Sequence, residues 1–110
     1  MTDRVQAALE MIEGQIKELD GLVERAAGDT NAVAAGERLG KWKERTTRLI
    51  AAHLGANEAK RFSEKKLARE FFYGDLADEV AEETDLYRGC LVSLTSQIKT
   101  QGDAIFEQQA

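Results

Sequence analysis

A chain of 110 residues is long enough for one hydrophobic core and too short for two, so a single domain is expected. Apolar residues at 43% and charged residues at 32% exclude a disordered composition, and the lack of proline beside many Ala, Glu, Leu, Lys, Arg and Gln favours helices over strands. A net charge of −5 argues against a nucleic-acid backbone as partner.

Val5, Leu9, Ile12, Ile16, Leu19, Val23 and Ala26 alternate steps of four and three, the period of a bundle seam, and predict a first helix over about 3–27. Gly28 is placed to stop it, and Asp29, Thr30 and Asn31 are candidate N-caps for the next helix. Gly14 and Gly21 lie inside the first helix, where each costs roughly 1 kcal/mol against Ala. Either another backbone approaches closely there or the face is open to solvent.

The second helix continues the pattern through Ala35, Leu39, Trp42, Thr46, Leu49 and His53, with Ile50 and Leu54 widening the stripe before Gly55 ends it. Asn57 and Ser63 read as N-caps of two short helices, the second carrying Leu67, Phe71 and Phe72 and stopping near Gly74. Asp75 caps a last long helix with the seam Leu76, Val80, Thr84, Tyr87, Leu91, Leu94 and Ile98; Gly102 breaks it, and Asp103 caps a final turn with Ile105 and Phe106. The expected fold is all-α, an antiparallel bundle over residues 1–110. Three long helices of about 36–40 Å are joined and followed by two or three short ones.

No apolar run approaches the ~18 residues that span a bilayer, and Met1-Thr2-Asp3-Arg4 does not open a signal peptide. Cys90, the one cysteine, has no partner for an internal disulfide. A cytoplasmic protein without membrane contact is expected.

Charge is unevenly spread: residues 1–37 carry a balance of −5, residues 38–70 of +6 and residues 71–110 of −6. The middle holds Arg38, Lys41, Lys43, Arg45, Arg48, Lys60, Arg61, Lys65, Lys66 and Arg69. Arg38, Lys41, Arg45 and Arg48 follow steps of three, four and three, which lines them along one helix face. One reading has Glu10, Glu13, Asp78, Glu82 and Asp85 neutralise this ridge across the bundle, orienting helices at ~0–1 kcal/mol per surface pair. The other has the ridge bind an anion, with Lys41, Arg45, Arg48, Lys60, Arg61 and Lys65 as the ligand-binding set for a small nucleotide-like molecule or an acidic protein face. Trp42 is placed to stack on a base, but its seam position favours core packing.

Catalytic chemistry finds little support. Glu10 and Glu13, with Glu82 and Asp85, imitate the spaced acidic pairs by which all-helical nucleotide pyrophosphatases hold magnesium, a remote alternative given 20 acidic residues. A di-iron site needs Glu-x-x-His, and His53 follows Ile50, Ala51 and Ala52. His53 reads as a core-edge or capping residue and Cys90 as a small core residue. No phosphate loop, Ser-His-Asp set or zinc spacing is present. The expectation is no enzyme, no catalytic residue, no metal and no cofactor.

Two stretches, Gly36-Glu37-Arg38-Leu39-Gly40-Lys41-Trp42-Lys43-Glu44-Arg45-Thr46-Thr47-Arg48-Leu49-Ile50 and Tyr87-Arg88-Gly89-Cys90-Leu91-Val92-Ser93-Leu94, carry a resemblance. They resemble the short helical domain that precedes TIR-type and other effectors in bacterial antiviral and stress proteins. The resemblance implies an accessory domain for oligomerisation, partner contact or signal sensing. With no effector after Ala110, it implies a copy that acts in trans, as a partner or an inhibitor. The expected function is therefore a non-enzymatic interaction module that self-associates or docks on a protein partner, with the nucleotide-like anion binder as alternative.

Overall fold

The computed structural model describes residues 2–27, 32–66 and 76–107, and among them the chain is all-α with no strand. The elements are α1 (Asp3–Ala27), α2 (Ala32–Leu54), α3 (Ala56–Ser63), α4 (Leu76–Gln101) and the single turn α5 (Ala104–Glu107). The molecule measures 45 × 25 × 20 Å, its long dimension set by helices of 23 to 26 residues.

Side-chain pairs give the directions of the long helices. Thr2 meets Asp103 and Asp20 meets Arg88, so α1 and α4 run antiparallel. Gln15 meets Thr46 and Glu18 meets Arg45, which fits antiparallel α1 and α2. Gly36 lies against Val80 and Trp42 against Tyr87, so α2 and α4 run parallel. A parallel pair requires the chain to travel back between them. α3 begins that return by folding along α2, with the Lys43 ammonium donating 2.8 Å to the carbonyl of Lys65.

Each turn has a backbone cause. Gly55 has φ 103°, and its N–H donates to the carbonyls of Ile50 and Ala51, closing α2; its own carbonyl accepts from Ala59 N–H inside α3. Gly55 is therefore the N-cap of α3, and Asn57, expected there, sits within the first turn. Ser63 likewise ends α3, its hydroxyl donating to the Lys60 carbonyl, so it does not start a further helix. The expected second short helix with Leu67, Phe71, Phe72 and Gly74 lies outside the described residues, as do Gly28, Asp29, Thr30, Asn31 and the Asp75 cap. Gly102, at φ 57°, donates to the Ile98 carbonyl and stops α4. The Asp103 carboxylate accepts from the Thr2 hydroxyl at 2.6 Å, tying α5 to the start of α1.

The core follows the seams with two corrections. On α1 the buried stripe is Val5, Ala8, Ile12, Gln15 and Leu19, a strict three-four alternation, while Leu9 and Ile16 flank it and Val23 is 45% exposed. On α2 the stripe turns from Leu39 and Trp42 to Thr46, Ile50 and Leu54, leaving Leu49 and His53 at its edge. α3 causes that turn, because it covers the flank of α2 next to Ile50 and Leu54 rather than the one next to Leu49. The α4 stripe of Thr84, Tyr87, Leu91, Leu94 and Ile98 is as expected, and Cys90 packs at its margin. A Cβ built on Gly14 or Gly21 meets nothing within 4 Å, so the close backbone approach is overturned and the open face holds.

Trp42 joins the elements. It is fully buried, with Phe62 of α3 edge-on at 6.0 Å and Tyr87 of α4 stacked at 6.1 Å, and its indole N–H donates 3.1 Å to the Gln15 carbonyl of α1. Burying an indole whose donor is satisfied combines a large apolar contribution with a desolvation cost that the hydrogen bond offsets. The Gln15 side chain is satisfied in the same place, its amide oxygen accepting from the Thr46 hydroxyl at 2.8 Å.

Candidate functional site

With the seams closed inside, the outward faces of α2 and α3 carry the cations. Lys41, Arg45 and Arg48 on α2, and Lys60, Arg61 and Lys65 beyond them, are all exposed. The ridge is not of one sign: Glu37 and Glu44 stand four residues before Lys41 and Arg48, in the favourable helical order, and both are exposed on that face. Steps of three and four had selected the positive charges and passed over the negative ones between them.

Arg45, Lys60 and Arg61 form ion pairs with acidic side chains. Arg45 pairs with Glu18 of α1 at 3.1 Å, Lys60 with Glu64 at 4.0 Å and Arg61 with Glu58 at 3.0 Å. For these three the partners are Glu18, Glu64 and Glu58, not Glu10, Glu13, Asp78 or Asp85; Glu13 instead pairs with Lys17 and Glu10 accepts from Gln6. The pairs are largely exposed on the basic side and contribute little to stability; Arg45–Glu18 joins α2 to α1, whereas the other two are local to α3. Glu58 is the exception, because its carboxylate is buried. Its Oε1 lies within ion-pair distance of Arg61 without hydrogen-bond alignment, although its place in the first turn of α3 suits a negative charge.

Of the six expected ligand-binding residues, Arg48 lines a cleft between α2 and α3. This open cleft of about 380 Å³ is walled by Lys43, Glu44, Thr47, Arg48 and Ser63. Lys43, Thr47 and Ser63 were missed because α3 had to be folded back before Ser63 could stand beside α2. The available signal was Lys43 followed by Thr47 one turn later. Lys41, Arg45, Lys60, Arg61 and Lys65 stay outside the cleft lining, although Lys65 supplies the carbonyl that holds Lys43.

Behind the cleft lies a half-buried titratable group. The Lys43 ammonium stands 4.6 Å from the Tyr87 ring centroid. Desolvation lowers its pKa, and the neighbouring Glu83 carboxylate and Cys90 side chain oppose that. Burial raises the pKa of Glu83, reinforced by Glu79 one turn away and opposed by Lys43. Burial, then Glu83 and Cys90, push the Tyr87 phenol up to about 12.

The acidic pairs of the magnesium alternative do not meet. With Asp20 level with Arg88, Glu82 and Asp85 fall near the last turn of α1. Glu13 lies about 15 Å away along the axis at 1.5 Å per residue, and Glu10 lies farther still. Among the described residues no three His, Cys, Asp or Glu side chains gather as metal ligands. No helix among the described residues is long and apolar enough to cross a membrane. Comparison with known proteins adds no identity: no family model matches the chain, and no curated protein or solved structure is similar to it.

Proposed function

We propose that this chain is a non-enzymatic interaction module that docks a protein partner through the outward face of α2 and α3. One observation carries the reading. The heptad seams of all three long helices close into one core, and the outward face of α2 and α3 carries the exposed cations Lys41, Arg45, Arg48, Lys60 and Arg61, interleaved with Glu37 and Glu44, on helices fixed by the Trp42 cluster. The seams are spent internally, so docking rests on charge rather than on an apolar stripe, and an acidic protein surface is the partner it fits. The resemblance of residues 36–50 and 87–94 to effector-associated helical domains supports the same role, in a bacterial antiviral or stress setting in the cytoplasm.

A small nucleotide-like anion on the same face is the second reading, favoured by the cleft beside Arg48. Glu44 in its wall weighs against a multiply charged guest.

Native mass spectrometry of the protein taken from its own cells at low salt tests the docking reading. The expected species is heavier than the 12.2 kDa protomer. It dissociates as salt shortens the Debye length to ~3 Å near 1 M, and it is absent in an Arg45→Glu/Arg61→Glu variant of unchanged helical circular dichroism. A protomer alone at every salt concentration, or a complex indifferent to the charge reversal, overturns the reading.

A further inference from the structure

The cleft between α2 and α3 offers a set of groups more specific than the ridge around it. The Thr47 hydroxyl already donates to the Lys43 carbonyl at 2.8 Å, and the Ser63 hydroxyl to the Lys60 carbonyl at 2.8 Å. Each hydroxyl has one proton, so a guest finds only acceptor lone pairs there. The Lys43 ammonium is held by the Lys65 carbonyl and the Tyr87 ring, which fixes its position and leaves further N–H donors. Arg48 adds a planar fork of donors, and Glu44 adds a carboxylate.

We infer that this cleft receives an acidic side chain from an extended segment of a protein partner, its carboxylate on Arg48 with Lys43 beside it. Backbone N–H groups flanking that side chain donate to Glu44 and to the hydroxyl oxygens of Thr47 and Ser63. The inference rests on the docking reading and names its partner and anchor. Charge complementarity selects the guest. Lys43 and Arg48 against Glu44 leave the wall one positive charge, which matches a single carboxylate and not a phosphate dianion. The carbonyl end of α3 adjoins Ser63 and contributes partial negative charge, a further penalty for a dianion. The mixture of acceptors and cations also suits a peptide, which brings donors together with its charge.

The test is a backbone-amide NMR titration of the ¹⁵N-labelled chain with acetyl-Gly-Glu-Gly-amide, its glutamine analogue and inorganic phosphate. The glutamate peptide is expected to give saturable shifts at Lys43, Glu44, Thr47, Arg48 and Ser63, and the glutamine analogue none. Arg48→Gln is expected to weaken the peptide roughly tenfold or more, the scale of a hydrogen-bonded charge. Lys17→Gln, on α1 outside both the cleft and the docking face and paired there with Glu13, is expected to change it by less than about twofold. Tighter binding of phosphate than of the glutamate peptide overturns the carboxylate assignment. Shifts spread over Lys41, Arg45, Lys60 and Arg61 and insensitive to Arg48→Gln overturn the cleft while leaving the docking face standing. Silence from every probe also overturns the cleft, and the docking reading is then decided by its own mass measurement.

Discussion

At Gly55 an added Cβ meets a backbone that L residues avoid. φ of 103° with ψ of 168° lies where glycine alone is at ease, and the strain for another residue is of order 1–3 kcal/mol. Gly55→Ala is expected to lower stability by about that much. Gly14 and Gly21 behave in the opposite way, since the space beside each is open and the helical backbone suits alanine. Each change to Ala is expected to raise stability by roughly 0.5–1 kcal/mol. Urea midpoints of the three single variants check both signs, and a Gly55→Ala protein as stable as its parent would show that the α2–α3 turn is not held as described. The sequence marks Gly55 as a stop because glycine follows an apolar stripe. It does not mark Gln15 as buried, because a polar residue interrupts the pattern and its partner Thr46 is 31 positions away.

Helix existence is legible because it is written in local periodicity, whereas helix neighbours are not. The stripes of α1 and α4 can be read to within a residue or two, but the turn of the α2 stripe toward Ile50 and Leu54 depends on α3 lying against it. The cleft was illegible for the same reason: Ser63 and Arg48 are 15 positions apart, and only the reversal at Gly55 makes them neighbours. Where α2, α3 and α4 meet, Tyr87 makes a pH prediction. An unfolded phenol ionises near pH ~10, whereas burial in the Trp42 and Phe62 cluster holds that of the folded chain to about 12. Between these values the native state binds more protons than the unfolded one. Stability is therefore intact below pH ~10 and falls as pH rises, by at most ~2–3 kcal/mol once both states are ionised. Urea midpoints of the parent are expected to fall more steeply between about pH 10 and 12 than those of Tyr87→Phe. Parallel slopes would mean that the phenol is hydrated in the folded state.

At the scale of the molecule, α1 is antiparallel to both of its long neighbours and is bound to the far end of the chain. Thr2 meets Asp103, the Arg4 guanidinium lies 3.9 Å over the Phe106 ring, and Ile105 is completely buried beside α1 and α4. The single turn of α5 therefore closes the same core that Trp42 anchors, through contacts about 100 residues apart in sequence. A core shared in this way unfolds as one unit. Ile105→Ala removes a side chain with no exposure and is expected to cost about 2–5 kcal/mol, lowering the urea midpoint with the slope unchanged. The decisive comparison is between two probes in that variant: far-ultraviolet circular dichroism, which follows all the helices, and near-ultraviolet signal from Trp42, which follows the cluster among α1, α2, α3 and α4. If the core is continuous, both transitions move together to the same lower midpoint, although Ile105 and Trp42 belong to different helices. A Trp42 transition left at the parent midpoint while helicity is lost earlier would divide the molecule into two cores, with α5 closing only one of them.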